Sequence, residues 1–167
     1  MRVALTALEC EKGDIPRNLG AHLAVLDGAA DAGCAWVVFP ESSLTGSVDA
    51  QRHPERAISI DDDAVRELVM ATEDVGAIFG IGERSDDGFF ITQVVAQGGQ
   101  VVGVQRKRVI APDEVGHTAG HETLVVDHLG LIICAEADVD WTWDATRAAG
   151  ADVVFFCSAP GLGGRRS

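Results

Sequence analysis

The chain has 167 residues, 47% of them apolar, enough to bury one ordinary globular core. Its 13 Lys and Arg stand against 26 Asp and Glu, a net charge of −13, and the basic residues cluster only at Arg106-Lys107-Arg108 and Arg165-Arg166. So acidic a chain excludes phosphate-backbone binding, which needs clustered cations, and the simplest consequence of its charge is solubility.

Strand and helix signals alternate along the chain, beginning with an apolar strand over residues 3–8. Asp14 is placed to cap a helix with Pro16 in its first turn, where a missing N–H costs nothing. Ile15, Leu19, Leu23, Leu26 and Ala30 form the apolar stripe of that helix, and Gly33 marks its stop. Residues 35–39 are short and wholly apolar, as expected of a strand covered on both faces. A polar, irregular segment follows to about residue 59. Asp61, Asp62 and Asp63 then crowd the start of a second helix, where the backbone dipole favours negative charge; its stripe is Val65, Leu68, Val69 and Thr72.

Residues 77–81, 89–96 and 101–105 read as three strands. Asp86-Asp87-Gly88 and Gln97-Gly98-Gly99 supply the turns between them, so antiparallel pairing is expected. Gly80-Ile81-Gly82 reads as a turn closing the first of the three; it lacks the third glycine and the helix of a dinucleotide loop. After a long loop over 106–121 come strands at 123–127 and 129–134, a helix over 141–149 between Asp140 and Gly150, and a strand at 153–156. The pattern is α/β with mixed sheet pairing. Beyond Phe156 no element closes a layer, and the chain reads as cut off.

Four cysteines occur, Cys10, Cys34, Cys134 and Cys157, with no Cys-x-x-Cys pair and no zinc-finger histidine spacing. The run after Met1 is too short for a signal peptide, and no apolar stretch reaches membrane-spanning length. A reduced, cytoplasmic protein with no membrane partner is the expectation.

Three residues carry chemistry. Glu41 follows the buried strand at 35–39, at the carboxyl end where α/β folds place their sites, and is a candidate general base; the bland alternative is a loop glutamate. Lys107 sits where a strand gives way to the long loop, and is either an exposed lysine or a donor to a developing oxyanion, worth about 3 kcal/mol of barrier. Glu114, in the same loop, is placed to orient that lysine or the base. Cys134 ends the apolar run Leu129-Gly130-Leu131-Ile132-Ile133 and is either a structural cysteine or a nucleophile, whose thiolate needs a base or cation nearby. Cys34 and Cys157 lie among apolar residues without acidic neighbours and read as core. His117 and His121 have the spacing of two metal ligands on a helix, but Gly116 and Gly120 argue against that helix, and no metal is expected.

Together these segments resemble the carbon–nitrogen hydrolase (nitrilase) superfamily. The likeness is carried by Val37-Val38-Phe39-Pro40-Glu41 with Leu44-Thr45-Gly46; Arg106-Lys107-Arg108 leading to Pro112-Asp113-Glu114; Gly130-Leu131-Ile132-Ile133-Cys134-Ala135-Glu136; and Gly150-Ala151-Asp152-Val153-Val154 with Ser158-Ala159-Pro160. The resemblance implies a four-layer α-β-β-α sandwich, with residues 1–167 as the amino-terminal portion of a single domain that is incomplete at its carboxyl end. It implies Glu41 as general base, Lys107 as the cation for the tetrahedral intermediate, Cys134 as nucleophile and Glu114 as a positioning carboxylate. The implied reaction is attack on a small-molecule amide, carbamoyl compound or nitrile through a thioester, with no cofactor and with assembly into homo-oligomers. Ala137-Asp138-Val139-Asp140-Trp141 departs from the family's aromatic-proline stretch after the nucleophile. The competing expectation is a non-catalytic relic or interaction module that keeps the same fold.

Overall fold

A computed structural model describes residues 1–159. Strands β1 (Val3–Leu5), β2 (Trp36–Val38) and β3 (Gly76–Ser85) run parallel, and β4 (Gly88–Gln97) and β5 (Gln100–Arg106) continue the sheet antiparallel, in the order β1-β2-β3-β4-β5. A second sheet has the order β6-β7-β8, with β6 (Val125–Val126) antiparallel and β8 (Val153–Cys157) parallel to β7 (Leu129–Ile133).

Helix α1 spans Ile15–Asp31, and the Asp14 carboxylate caps it by accepting from the Arg17 N–H at 3.2 Å. Helix α2 spans Asp63–Met70, and Asp62 caps it through the Ala64 N–H at 3.0 Å. Both lie on one face of the first sheet, where Leu19, Leu26, Val65 and Leu68 pack against Val37, Phe39, Phe79 and Val94. Each large side chain buried there contributes about 1.5–3 kcal/mol. The sheet's other face carries Trp36, Val38, Ile78 and Val95, which meet Leu129, Leu131, Phe155 and Cys157 of the second sheet. Helix α3 (Asp140–Ala148) covers the far side of that second sheet, so close that a Cβ on Gly130 would lie 2.4 Å from Thr146 Cγ2. The layers run helix, sheet, sheet, helix, as the sequence resemblance implies.

Several boundaries differ from the sequence expectation. Strand β1 ends at Leu5, and only Val125–Val126 of the run at 123–127 is strand. Gly80-Ile81-Gly82 is not a turn but the middle of β3. A Cβ on Gly80 would lie 2.1 Å from the Ser42 backbone nitrogen, and one on Gly82 would lie 2.7 Å from Val48 Cγ2. The two glycines are a recess for the loop after β2. Asp140 is the first residue of α3 rather than its cap, because a 3-10 turn over Cys134–Asp138 fills the gap that the sequence left open. Pro160 and Arg165-Arg166, singled out above, lie outside the described residues.

Candidate active site

The carboxylate comes first in the chain. Beyond β2 the backbone turns sharply, with Ser42 at φ 54°, over the space that Gly80 leaves free. The turn is tied down from both sides. Leu44 N–H donates to the Gly80 carbonyl at 2.8 Å, and Gly80 N–H donates to Ser43 Oγ at 3.2 Å. The Ser43 oxygen lies 2.9 Å from His22 Nε2, whose Nδ1 lies 2.7 Å from the Asn18 carbonyl. A carbonyl only accepts, so Nδ1 carries the proton and Ser43 donates to Nε2. Burial pushes the His22 pKa down despite the Asn18 hydrogen bond, keeping the ring neutral. Helix α1 thus fixes the turn that presents Glu41, itself buried.

Lys107 follows β5. Its backbone N–H donates to Ile91 at 2.7 Å and its carbonyl accepts from Gly120 at 2.8 Å, and its side chain has no exposure at all. Nζ donates to Glu41 Oε1 at 2.8 Å and to Glu114 Oε1. The remaining oxygens are also occupied, Glu114 Oε2 by the Ala111 N–H at 2.7 Å and Glu41 Oε2 by the Ala159 N–H at 3.2 Å. Burial works to lower the Lys107 pKa, but the two carboxylates outweigh it and hold the group above its ordinary value as an ammonium.

Cys134 stands at the carboxyl end of β7 with φ 45°, in the left-handed region. For a non-glycine residue that conformation costs on the order of 1–3 kcal/mol and persists only where surroundings enforce it. The Ser158 hydroxyl donates to its sulfur at 3.7 Å. Burial and the Glu41 charge push the Cys134 pKa up, against the smaller opposing effects of Ser158 and Lys107. The resting group is a thiol beside a carboxylate, not a thiolate paired with the lysine. Burial is the larger cause, and Lys107, bonded to Glu41 and Glu114, offsets it only in part.

Glu41, Glu114 and Cys134 line one cavity of about 740 Å³, whose wall also includes Ile91, His117 and Arg52. All four candidate residues from the sequence therefore meet at one place. The two histidines do not: His117 Nδ1 sits 3.3 Å from the Glu114 carbonyl, while His121 lines a separate cavity of about 580 Å³ beside Arg106. Among the described residues no group of three or more His, Cys, Asp or Glu is arranged to hold a metal. Cys157 is buried between the sheets with its pKa pushed up to about 12, mainly by burial, and Cys34 packs against the helix-side core, as read from the sequence. Sequence reasoning passed over Arg108 and Glu136, an ion pair with both side chains fully buried. The signal was their place, one next to Lys107 and the other two residues past Cys134.

The chain belongs to the carbon–nitrogen hydrolase family, whose model matches residues 2–165. A cysteine-to-alanine mutant of the Nesterenkonia AN1 amidase, from the nitrilase superfamily, superposes with a TM-score of 0.84 at 21% identity, over 97% of this chain and 67% of that one. An amidase from Nesterenkonia sp. gives 0.83 at 22%, over 95% of this chain and 64% of that one. The glutamine-dependent NAD+ synthetase of Acinetobacter baumannii gives 0.80 at 19%, over 94% of this chain and 32% of that one. The chain thus spans about two thirds of the amidases and about a third of the synthetase. No curated protein sequence matches it. Among the described residues no helix is long and apolar enough to cross a membrane.

Proposed function

We propose that the chain hydrolyses a carbon–nitrogen bond of a small amide or carbamoyl compound through a thioester on Cys134. The observation that carries this is the buried Lys107 ammonium, bonded to Glu41 and Glu114 where their cavity meets Cys134. An ammonium has three protons. Two go to the carboxylates, and the third, which has no partner among the described residues, is available to an oxygen that gains charge during reaction.

In the first half, Cys134 Sγ attacks the amide carbon while Glu41 takes the sulfur proton. The carbonyl oxygen becomes an oxyanion facing the Lys107 ammonium. The carbon–nitrogen bond then breaks as Glu41 returns its proton to the leaving nitrogen, freeing ammonia or an amine. In the second half, Glu41 takes a proton from water as the water oxygen attacks the thioester carbon. The carbon–sulfur bond breaks, the acid leaves, and the proton goes back to the sulfur. A raised thiol pKa supports this assignment, since the proton must be removed by a base during attack. Glu114 is a positioning residue here; it holds the same ammonium that Glu41 holds.

Amide rather than nitrile is preferred because the solved neighbours include amidases, one of them a Glu-to-Gln mutant with acrylamide added at the active site cysteine. The reading extends to a cytoplasmic homo-oligomer, a compartment in which four free thiols persist. The test is ammonia release from a panel of short aliphatic amides, N-carbamoyl compounds and nitriles. The expected result is turnover of an amide or carbamoyl compound that falls at least about a thousandfold in Cys134→Ala. Equal turnover in that variant would overturn the reading.

A further inference from the structure

Glu136 and Arg108 take no part in the steps above, yet they are as buried as anything in the protein. Glu136 Oε1 accepts from the Arg108 backbone N–H at 2.6 Å and from its Nε at 3.2 Å. Glu136 Oε2 accepts from Arg108 Nη2 at 2.7 Å and from the Ile133 backbone N–H at 3.1 Å. Arg108 Nη1 donates onward to Thr123 Oγ1 at 2.7 Å, and its guanidinium lies 5.5 Å from the centre of the Trp141 ring. One carboxylate therefore holds the backbone N–H of the residue before the nucleophile and that of the residue after the lysine.

A buried ion pair is a poor device for stability, since apolar residues of the same size do as well or better. Its geometry here does something an apolar pair cannot. Cys134 sits in a left-handed conformation that needs enforcing, and Glu136 grips the chain on its amino side. Lys107 comes from the other sheet, and the same carboxylate grips its neighbour. We infer that Glu136, with Arg108 as its counter-ion, is a positioning residue that sets the Cys134 sulfur against the Lys107 ammonium and the Glu41 carboxylate.

What the positioning serves rests on the hydrolase mechanism above, but the placement of the sulfur can be read without turnover. The experiment is alkylation of native protein by iodoacetamide from pH 6 to 9, with peptide mass spectrometry following all four cysteines, in wild type, Glu136→Gln and Arg108→Lys. Glu136→Gln keeps an acceptor but loses the charge. Arg108→Lys keeps the charge but loses the planar fork. In wild type, Cys134 is expected to react faster than Cys34 at pH 7, although it is a thiol at rest, because Glu41 takes its proton as the sulfur attacks. In both variants that rate should fall at least about tenfold, the order of loss expected for a displacement well under 1 Å. Cys10 and Cys34 should keep their rates, and Cys157 should stay unreactive. With a turned-over amide, Arg108→Lys should lower kcat and leave KM within about twofold.

An unchanged Cys134 rate in both variants overturns the proposal. So does a wild-type Cys134 no faster than Cys34. A variant in which Cys157 opens together with the other cysteines also overturns it, because the pair then serves only to hold the fold. If the alkylation contrast holds but no amide is turned over, the hydrolase mechanism fails and the positioning role stands.

Discussion

Lys107 is the residue on which the charges of the site balance. Its ammonium separates two carboxylates, and with no exposure it has no water to replace them. Lys107→Met would leave Glu41 and Glu114 facing each other, and should cost about 3–5 kcal/mol, read as a lower urea midpoint at an unchanged slope. A loss below about 1 kcal/mol would mean the lysine does not bridge them. His22 makes a different prediction. Its folded pKa lies below the unfolded value of about 6.5, so below that pH the unfolded chain binds more protons than the folded one. Its contribution is therefore complete above about pH 6.5 and is lost as pH falls from there towards the depressed folded pKa. The thermal midpoint should drop between pH 7 and 5, and the drop should be smaller in His22→Gln, measured by calorimetry across that range. A drop of the same size in both proteins would remove His22 from the account of acid sensitivity.

The elements were legible where periodicity and caps spoke for them. Asp14 caps α1, the acidic triplet stands at the start of α2, and the three antiparallel strands fall where their turn residues place them. Glu41, Lys107 and Cys134 each come shortly after a strand, but position alone left each with a bland alternative, and the resemblance singled them out as an ordered set. What the sequence did not disclose depends on contacts between distant segments. Gly80 looks like a turn residue until Ser42 is seen lying against it, and only tertiary packing makes a strand glycine necessary there. The short turn after Cys134 was hidden because a left-handed cysteine has no sequence signature. Glu136 and Arg108 each look like surface charges until they are paired. Gly80→Ala tests the recess directly. The added methyl meets backbone rather than a movable side chain, so the variant should lose at least about 2 kcal/mol of stability. It should also lose activity out of proportion, because the displaced turn carries Glu41. A stable, fully active Gly80→Ala protein would show that the turn tolerates displacement.

Across the molecule, the two cores do different work. The helix-side core holds α1 and α2 on the first sheet, the inter-sheet core packs β2 against β7, and Gln105 of β5 donates to the Leu131 carbonyl of β7 at 3.2 Å. Glu41 follows the first of these strands, Lys107 the second and Cys134 the third, so sheet-on-sheet packing assembles the site. On the outside, β8 leaves Phe156 54% exposed, with Val153 also in solvent. Such an edge invites association. The chain should self-associate with rising concentration by light scattering, and Phe156→Lys should shift that onset upward; an unmoved onset would assign association to another surface.

The most direct measurement is mass spectrometry of acid-quenched reaction mixtures during turnover of a short aliphatic amide. An acyl group on the peptide that carries Cys134, appearing with released ammonia and absent from Cys134→Ala, is the predicted result. Turnover without acylation at Cys134, or neither ammonia nor acyl-enzyme from any amide offered, would contradict a thioester mechanism for this chain.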